Sequence, residues 1–209
     1  MAAHIPAGAA VIDVGTDHGL IPVYLAQNDL SRRIIASDIN EGPLQSAAAL
    51  VKETETGEFI RLFVRDGLEG FSRADADCVV IAGMGGENMA AILAAAPWTK
   101  DGVHLVLQPQ SKQAELRSFL TENGYGIESE ELVADAGRIY PILTACGGVS
   151  GVYTAAELLL GKWEQIGRDS LLPRYVDSVL RRQEKAAAHD ETARELYEQL
   201  LQWKEKLAL

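Results

Sequence analysis

The sequence predicts an open, mostly parallel α/β sheet of the Rossmann-like type, followed by a C-terminal helical hairpin. Short apolar, β-branched runs alternate with helix-periodic segments up to about residue 125, which is typical of parallel strands joined by helices. Several of these runs end in an acid or a glycine. From Tyr153 onward the strand patterns disappear and apolar residues follow a three-four spacing. We therefore expect two domains, residues 1–150 and 151–209.

The first predicted strand leads into a glycine-bracketed loop. Val11–Val14 is apolar apart from Asp13, and Gly15 permits a sharp turn before a helical pattern that begins just after Gly19. Open α/β sheets bind their ligands at the carboxyl ends of the strands. The loop is therefore predicted to bind a small molecule.

Two cofactor classes compete for this loop. Nicotinamide enzymes need G-x-G-x-x-G, but the middle glycine position is occupied by Asp17, whose charge would repel a pyrophosphate. S-adenosylmethionine has no phosphate, and Asp13 and Asp17 would attract its ammonium and sulfonium charges. The pattern Asp13-x-Gly15-x-x-x-Gly19 therefore favours S-adenosylmethionine.

The second predicted strand, residues 33–38, also ends in an acid. Asp38 lies 19 residues beyond Gly19, the spacing at which an acid binds the ribose hydroxyls of a nucleoside cofactor. Capping of the next helix, predicted at 41–54, is a compatible role. We expect Asp38 and the adjacent Ile39 to contact the cofactor.

The third predicted strand, residues 60–64, is followed by Asp66 and Gly67. Asp66 can accept a hydrogen bond from the adenine amino group, and Gly67 leaves a backbone N–H open to a ring nitrogen. An ordinary Asp-Gly turn would explain this pair taken alone. A third acid at a strand end favours the site.

The fourth predicted strand, residues 76–82, is a nearly continuous apolar run, as expected for a parallel strand that is covered on both faces. It leads into Gly83-Met84-Gly85-Gly86 and a helix at 88–96. Three glycines at a strand-to-helix junction indicate that a ligand approaches the backbone closely.

The remaining part of the sheet contains a fifth strand at 104–110, a helix at 113–123, and an antiparallel pair at 127–133 and 139–145. The turn Asp135-Ala136-Gly137 joins the pair, and Pro141 predicts an edge position or a bulge. Two amphipathic helices follow, from Pro173 to about Ala188 and from Glu191 to Leu207, with His189-Asp190 as their turn.

Composition excludes several classes of protein. The net charge of −11 argues against an extensive basic surface, but residues 1–150 carry −10 of it and 151–209 only −1, so a polyanion should meet the second part first. No apolar run reaches the ~20 residues of a membrane span, and no export signal is evident, so we expect a cytoplasmic protein. The four histidines lack metal-ligand spacing. Cys78 and Cys146 are expected to be reduced core residues.

Five short motifs together resemble the bacterial tRNA adenine-N1 methyltransferases that modify adenine 22 in the D-arm. They are residues 13–19 (DVGTDHG), 37–40 (SDIN), 65–69 (RDGLE), 82–86 (AGMGG) and 107–109 (LQP). The resemblance implies a class I methyltransferase sheet with one antiparallel strand, S-adenosylmethionine as donor, tRNA as substrate, and a coiled-coil C-terminal hairpin. This family usually begins with an additional helix, and Ala3–Pro6 looks like its last turn.

The pattern and the resemblance together define the candidate site. Cofactor binding is assigned to Asp13, Gly15, Asp17, Gly19, Asp38, Ile39, Asp66, Gly67 and Gly83. Substrate binding is assigned to Met84, Gly85, Gly86, Gln108, Pro109, Arg181 and Arg182, with no metal ligand. Asp17 and His18 are the catalytic candidates, although loop orientation, base contact or helix capping would each explain His18. Tyr24 is expected in the core, and Met84 fits either core packing or base contact.

The loop after the fourth strand bears on the chemistry. Enzymes that methylate an exocyclic amine usually carry Asn/Asp-Pro-Pro-aromatic there, whereas this chain has Gly83–Gly86. Adenine N1 has an in-plane lone pair, so alignment with the methyl group suffices without a general base, provided that the base is unpaired or flipped. Two alternatives stay open: an S-adenosylmethionine-binding sensor or interaction protein, and a class I methyltransferase of proteins or small molecules. The oligomeric state also stays open, and a monomer is compatible with the sequence.

Overall fold

A computed structural model of the chain describes residues 1–206. Seven strands form one sheet: β1 (Ala9–Val14), β2 (Ser31–Asp38), β3 (Ile60–Val64), β4 (Cys78–Gly85), β5 (His104–Ser111), β6 (Tyr125–Asp135) and β7 (Arg138–Gly147). Eight α-helices accompany them within the described residues: α1 (Leu20–Gln27), α2 (Glu41–Glu53), α3 (Gly86–Ala95), α4 (Gln113–Glu122), α5 (Ala155–Leu160), α6 (Trp163–Ile166), α7 (Leu172–Ala187) and α8 (Glu191–Lys206). Ala2–His4 and Pro97–Lys100 form 3-10 helices.

The strand order is β3-β2-β1-β4-β5-β7-β6. β7 runs antiparallel to both of its neighbours, while β1 to β5 pair in parallel. From β1 the chain adds β2 and β3 on one side of the sheet, and then β4 and β5 on the other side. The boundary between β1 and β4 is therefore a topological switch point, where open α/β sheets bind ligands. The predicted Rossmann-like sheet with one antiparallel strand is confirmed.

The strand register brings the carboxyl ends of five strands to one edge of the sheet. Val14, the last residue of β1, pairs with Ser37 on one side and Ile81 on the other. Asp38 pairs with Val64 one step further out, and Ala82 pairs with Gln108. The carboxyl ends of β1 to β5 therefore lie side by side, and so do the loops that follow them.

Apolar side chains cover both faces of the sheet. Met89 and Leu93 of α3 and Leu116 of α4 pack on one face, and Val23 of α1 and Val51 of α2 pack on the other. This two-sided burial explains why the parallel strands are apolar along most of their length.

The fourth strand is longer than predicted at its carboxyl end. β4 continues through Gly83 and Met84 to Gly85, which still pairs with Ser111 of β5 across two irregularities in register. Gly83 has φ +78°, a conformation that glycine adopts without strain. The glycine segment is thus the irregular end of a strand rather than a free loop.

The β6–β7 hairpin differs from the prediction in two details. Asp135 pairs with Arg138, so the turn is the two residues Ala136 and Gly137, both with positive φ, as a primed turn requires. Pro141 lies on an inner strand and away from the bulge near Glu128, so the predicted edge or bulge position is wrong. It lies beyond the residues of β7 that pair with β5, where its missing N–H costs no bond to that strand.

The helical segment after β7 has its own apolar cluster. Leu160, Tyr175, Val176 and Leu200 are buried there, together with Leu132 of β6. The two predicted long helices are confirmed as α7 and α8, except that Leu207 lies outside the described residues. The short helices α5 and α6 were not predicted. None of the described helices is long and apolar enough to cross a membrane.

Tyr24 and Cys146 are corrections to the predicted core. Tyr24 is 51% exposed on the outer face of α1, one turn after the exposed Leu20. Both cysteines are free, but only Cys78 is buried, and the Cys146 thiol donates a hydrogen bond to Glu128 at 3.2 Å.

Candidate active site

Backbone hydrogen bonds hold the first loop against β2. The N–H groups of Gly15 and Thr16 both donate to the carbonyl of Ser37, at 2.8 and 3.0 Å. Gly15 and Gly19 have positive φ, and so does Asp17, which is unusual for a residue with a side chain. Asp17 and His18 are exposed at the top of this loop, with the carboxylate and the imidazole 3.7 Å apart. The two catalytic candidates are therefore accessible to a substrate.

Asp13 lies beneath the loop as a buried acid, with only 3% of its surface exposed. Burial raises the pKa of its carboxyl from 3.8 to about 6 because the charged form loses its hydration. The nearby Thr16 hydroxyl partly offsets this rise in the pKa of Asp13. Among residues 1–206, however, no atom lies in hydrogen-bonding geometry with that hydroxyl. A cation bound above the loop would stabilise the ionised form of Asp13.

The second loop combines an acid with exposed apolar side chains. The Asp38 carboxylate accepts a hydrogen bond from the Asn40 N–H at 3.0 Å, and Asn40, rather than Asp38, is the N-cap residue of α2. Ile39 is 58% exposed and Val64, at the end of β3, is 53% exposed. Exposed aliphatic side chains next to a carboxylate suit a ligand that carries an apolar ring and hydroxyl groups.

The third loop is partly open and partly packed. Asp66 is exposed. A Cβ atom on Gly67 would lie 3.0 Å from the Ile92 side chain, and Gly67 has φ +55°. Glycine at this position therefore permits both the turn and the approach of α3.

The glycines at the junction of β4 and α3 have different surroundings. A Cβ atom on Gly83 would have only the Gln110 amide within reach, at 3.9 Å, so space remains above it. A Cβ atom on Gly85 would lie 3.2 Å from the Ser111 hydroxyl. A Cβ atom on Gly86 would overlap the Lys112 carbonyl, and Gly86 is buried. The structure thus gives Gly86 a packing role between α3 and α4 instead of the predicted substrate contact.

Met84 and the polar end of β5 complete the wall of the site. The Met84 side chain covers Gly15, where a Cβ atom would overlap its terminal methyl group. The Gly83 N–H donates to Gln108 Oε1 at 3.0 Å, so the Gln108 amide is oriented by the backbone. Pro109 is buried, and its contribution is to the shape of the wall rather than to an exposed contact surface.

Arg181 and Arg182 lie in a separate cleft of about 870 Å³. Its walls come from α7, from the β6–β7 turn and the start of β7, and from the end of β5 and the start of α4. Five of the lining residues are cationic: Arg138, Arg174, Arg181, Arg182 and Lys185. Two are acidic, Asp177 and Glu184, and Asp177 is paired with Lys204 at 2.6 Å. The cleft is therefore positively charged on a protein with a net charge of −11.

The cleft and the sheet edge meet at Gln110. This residue lines the cleft, and its amide lies near the open space above Gly83. Sequence reasoning missed Gln110 and Arg138. Arg138 directly follows the predicted turn, but nothing in the sequence indicated that this turn faces α7.

The residues at the sheet edge fit S-adenosylmethionine. The buried acid below the first loop, the acid and exposed aliphatic side chains on the second, and the uncovered backbone at Gly83 match its cationic, nucleoside and methyl-donor parts, respectively. Within the described part of the chain, no group of three or more His, Cys, Asp or Glu residues is arranged to hold a metal ion.

Comparison with known proteins identifies similar sequences and folds. The family described as "Methyltransferase domain" matches residues 1–143. The tRNA (adenine(22)-N(1))-methyltransferase of Bacillus subtilis is 33% identical over 167 residues, which cover 77% of this chain and 70% of that protein. The crystal structure of the B. subtilis m1A22 tRNA methyltransferase TrmK has a TM-score of 0.78 and 27% identity, covering 99% of this chain and 94% of that one. A Streptococcus pneumoniae protein in complex with S-adenosyl-L-methionine has a TM-score of 0.85 and 30% identity, covering 99% and 95%.

Asp13→Asn tests the cost of the buried charge. Asp13 has a higher pKa in the folded than in the unfolded chain, so its ionisation lowers the free energy of unfolding as pH rises from about 4 to 6, and the full cost persists above. At pH 7.5 the ligand-free variant should be about 1–3 kcal/mol more stable than wild type, and it should bind S-adenosylmethionine more weakly. Urea unfolding at pH 4, 5 and 7.5 measures this, and a stability difference that does not grow with pH would contradict the assignment.

Gly86→Ala separates packing from ligand contact. Alanine favours a helix over glycine by about 1 kcal/mol, so a loss of stability must come from overlap with Lys112. We expect a loss of about 1–3 kcal/mol in urea unfolding, with unchanged S-adenosylmethionine affinity of the folded protein. Gly42→Ala, in α2 with no atom within 4 Å of its Cβ, is the matched control and should be neutral or stabilising. Equal stability of the two variants would show that α3 and α4 can separate without cost.

Proposed function

The chain belongs to the tRNA (adenine(22)-N(1))-methyltransferase family, and we propose that it transfers a methyl group from S-adenosylmethionine to N1 of adenine 22 in the D-arm of tRNA. One observation carries this proposal. The glycine segment at the end of β4 has open space above Gly83 and orients the Gln108 amide, but it offers none of the side-chain acceptors that an exocyclic amine needs before it can be methylated.

Four loops hold the cofactor in this proposal. Asp13 supplies negative charge from below, and the positive-φ turns at Gly15 and Gly19 shape the first loop above it, where Met84 and Ala47 pack against these glycines. Asp38 binds the ribose hydroxyls, and Ile39 covers the adenine ring of the cofactor. Asp66 and Gly67 bind the edge of that ring, and Gly83 leaves its reactive end uncovered.

When bound, S-adenosylmethionine supplies an electrophilic methyl group on a sulfonium. Held by Asp13, Asp38 and Asp66, it would donate this methyl group to the lone pair of adenine N1, and the electron pair of the broken C–S bond would stay on sulfur. The positive charge passes to the adenine ring, so no proton has to be removed and no general base is required. The protein contributes orientation, which accounts for a large part of such rate enhancements.

The target adenine must leave its base pair or stack, because N1 lies on the pairing edge. Gly83, Met84 and the Gln108 amide form the wall that it meets. Asp17 and His18 are exposed on the opposite loop, where the Asp17 carboxylate can offset the charge that the ring acquires. Their role is positioning and electrostatic, since the chemistry calls for no proton transfer.

The cationic cleft binds the RNA backbone. Arg181 and Arg182 on α7 and Arg138 at the start of β7 all line the cleft, and cationic groups from two elements suit a phosphate chain that runs between them. Gln110 connects this path to Gly83. A tRNA substrate also implies a cytoplasmic location.

The product is tested by primer extension. Wild-type protein with S-adenosylmethionine should introduce a reverse-transcriptase stop at adenine 22 of a tRNA transcript, because a methyl group on N1 blocks base pairing. The matched RNA with guanine at position 22 and a reaction without cofactor are the controls. Methyl transfer without a stop would indicate N6 as the acceptor, and transfer that survives ribonuclease treatment would indicate a protein substrate.

The cleft is tested by the salt dependence of tRNA binding. Arg181→Ala with Arg182→Ala should weaken tRNA binding and reduce the slope of log affinity against log salt by about 0.9 for each lost phosphate contact. Arg138→Ala should do the same from the other wall, and cofactor affinity should stay unchanged. Arg194→Ala is the control, because Arg194 is exposed on α8 and outside the cleft lining. An unchanged slope in the cleft variants would place the phosphate contacts elsewhere.

A further inference from the structure

A buried ion pair joins α4 to β6. Arg117 and Glu130 have side chains with no exposed surface. Arg117 Nη2 donates to Glu130 Oε2 at 2.6 Å, and Arg117 Nε donates to both carboxylate oxygens at 3.1 Å. Burial disfavours the charge of Arg117, but the attraction of Glu130 more than offsets this and keeps the pKa of Arg117 above its ordinary value.

The same guanidinium also holds the first helix beyond the sheet. Arg117 Nη1 donates to the carbonyls of Leu158 and Leu159, at 2.7 and 3.2 Å. Both carbonyls are in the last turn of α5, where carbonyl groups have no hydrogen-bond donor within the helix. Gly161, just after α5, has φ +91°, and a Cβ atom there would lie 2.8 Å from Glu130 Oε2. One side chain thus fixes α5 relative to both α4 and β6.

This contact connects the sheet edge to the cleft. α4 begins at Gln113, which lines the cleft and is separated from the end of β5 by one residue. On the other side, the Tyr175 hydroxyl of α7 donates to the Leu159 carbonyl at 3.3 Å, and Arg174 beside it lines the cleft. A short path therefore leads from the site wall along α4 to Arg117 and, through the Leu159 carbonyl, to the cationic face of α7.

Stability alone does not account for such a group. Replacing a buried ion pair by apolar side chains of similar volume is often neutral or stabilising. An ion pair does impose a fixed geometry, because a guanidinium donates along set directions in its plane. Two further hydrogen bonds, from Leu132 N to Asp169 at 2.9 Å and from Gln165 to the Ile127 carbonyl at 3.3 Å, attach the helical segment to β6 but leave α4 out.

We propose that Arg117 is a positioning residue that fixes the cationic cleft relative to Gly83 at the end of β4. A tRNA bound in the cleft then presents its adenine to the methyl donor. The inference rests on the proposed function. It assigns to Arg117 an effect on turnover that is separate from its effect on folding and that requires no contact with either substrate.

The test replaces both partners together. Arg117→Met with Glu130→Leu removes the pair without leaving a lone buried charge. We expect the double variant to fold and to bind S-adenosylmethionine with wild-type affinity by calorimetry. Its tRNA affinity should change less than about threefold, because the cleft residues remain, whereas kcat should fall at least about tenfold from misplacement of the base. Wild-type kcat in the folded double variant would overturn the proposal.

Two further variants keep the result decisive. Arg117→Lys retains the charge beside Glu130, but one ammonium cannot also reach both α5 carbonyls, so kcat should again fall with cofactor affinity preserved. If the double variant fails to fold, the kcat and the S-adenosylmethionine affinity of Arg117→Lys test the proposal instead. Arg194→Met removes a cation from α8 without touching the pair and should keep wild-type kcat. Wild-type protein that methylates no tRNA would refute the proposed function, whereas active wild type with equally active Arg117 variants would refute only the positioning role.

Discussion

The common register of the parallel strands is the constraint on which the rest of the structure depends. β1 pairs with β2 and β4 so that Val14, Ser37 and Ile81 lie at the same level, and the chain must leave that edge after each parallel strand and return by a helix. The loops that follow β1 to β5 are therefore neighbours, although residues 15 and 110 are far apart in sequence. Burying Asp13 under the first of them concentrates negative charge below the edge, which suits a cationic cofactor.

The predicted strands were accurate where side chains alone determine the outcome, because β-branched runs covered on both faces have few other structures to adopt. The errors arose where a neighbour decides. α1 is apolar on all sides, so periodicity could not tell which face Tyr24 occupies. Residues 83–85 extend β4 only because β5 pairs with them. The helices α5 and α6, at six and four residues, are too short to produce a periodic signal.

The candidate site divides in the same way. Asp13, Asp38 and Asp66 could be assigned from sequence because each stands at the end of a strand, where position and residue type carry the chemistry. The glycines 83–86 look alike in sequence, yet one remains open and another is filled by α4. Arg117 has no local signature either, because its meaning depends on partners 13 and 41 residues away.

The turn of the β6–β7 hairpin has a consequence for how these proteins can diverge. Arg138 stands at the first position of β7, paired with Asp135, and lines the cleft. Side chains alternate between the two faces of a strand, so adding one residue to each strand would carry Arg138 further out and turn it to the opposite face. Only insertions that lengthen both strands by even numbers keep the cation facing α7. Insertions at this turn should therefore add two residues to each strand at a time, and each such insertion should extend the cationic wall of the cleft by about 7 Å.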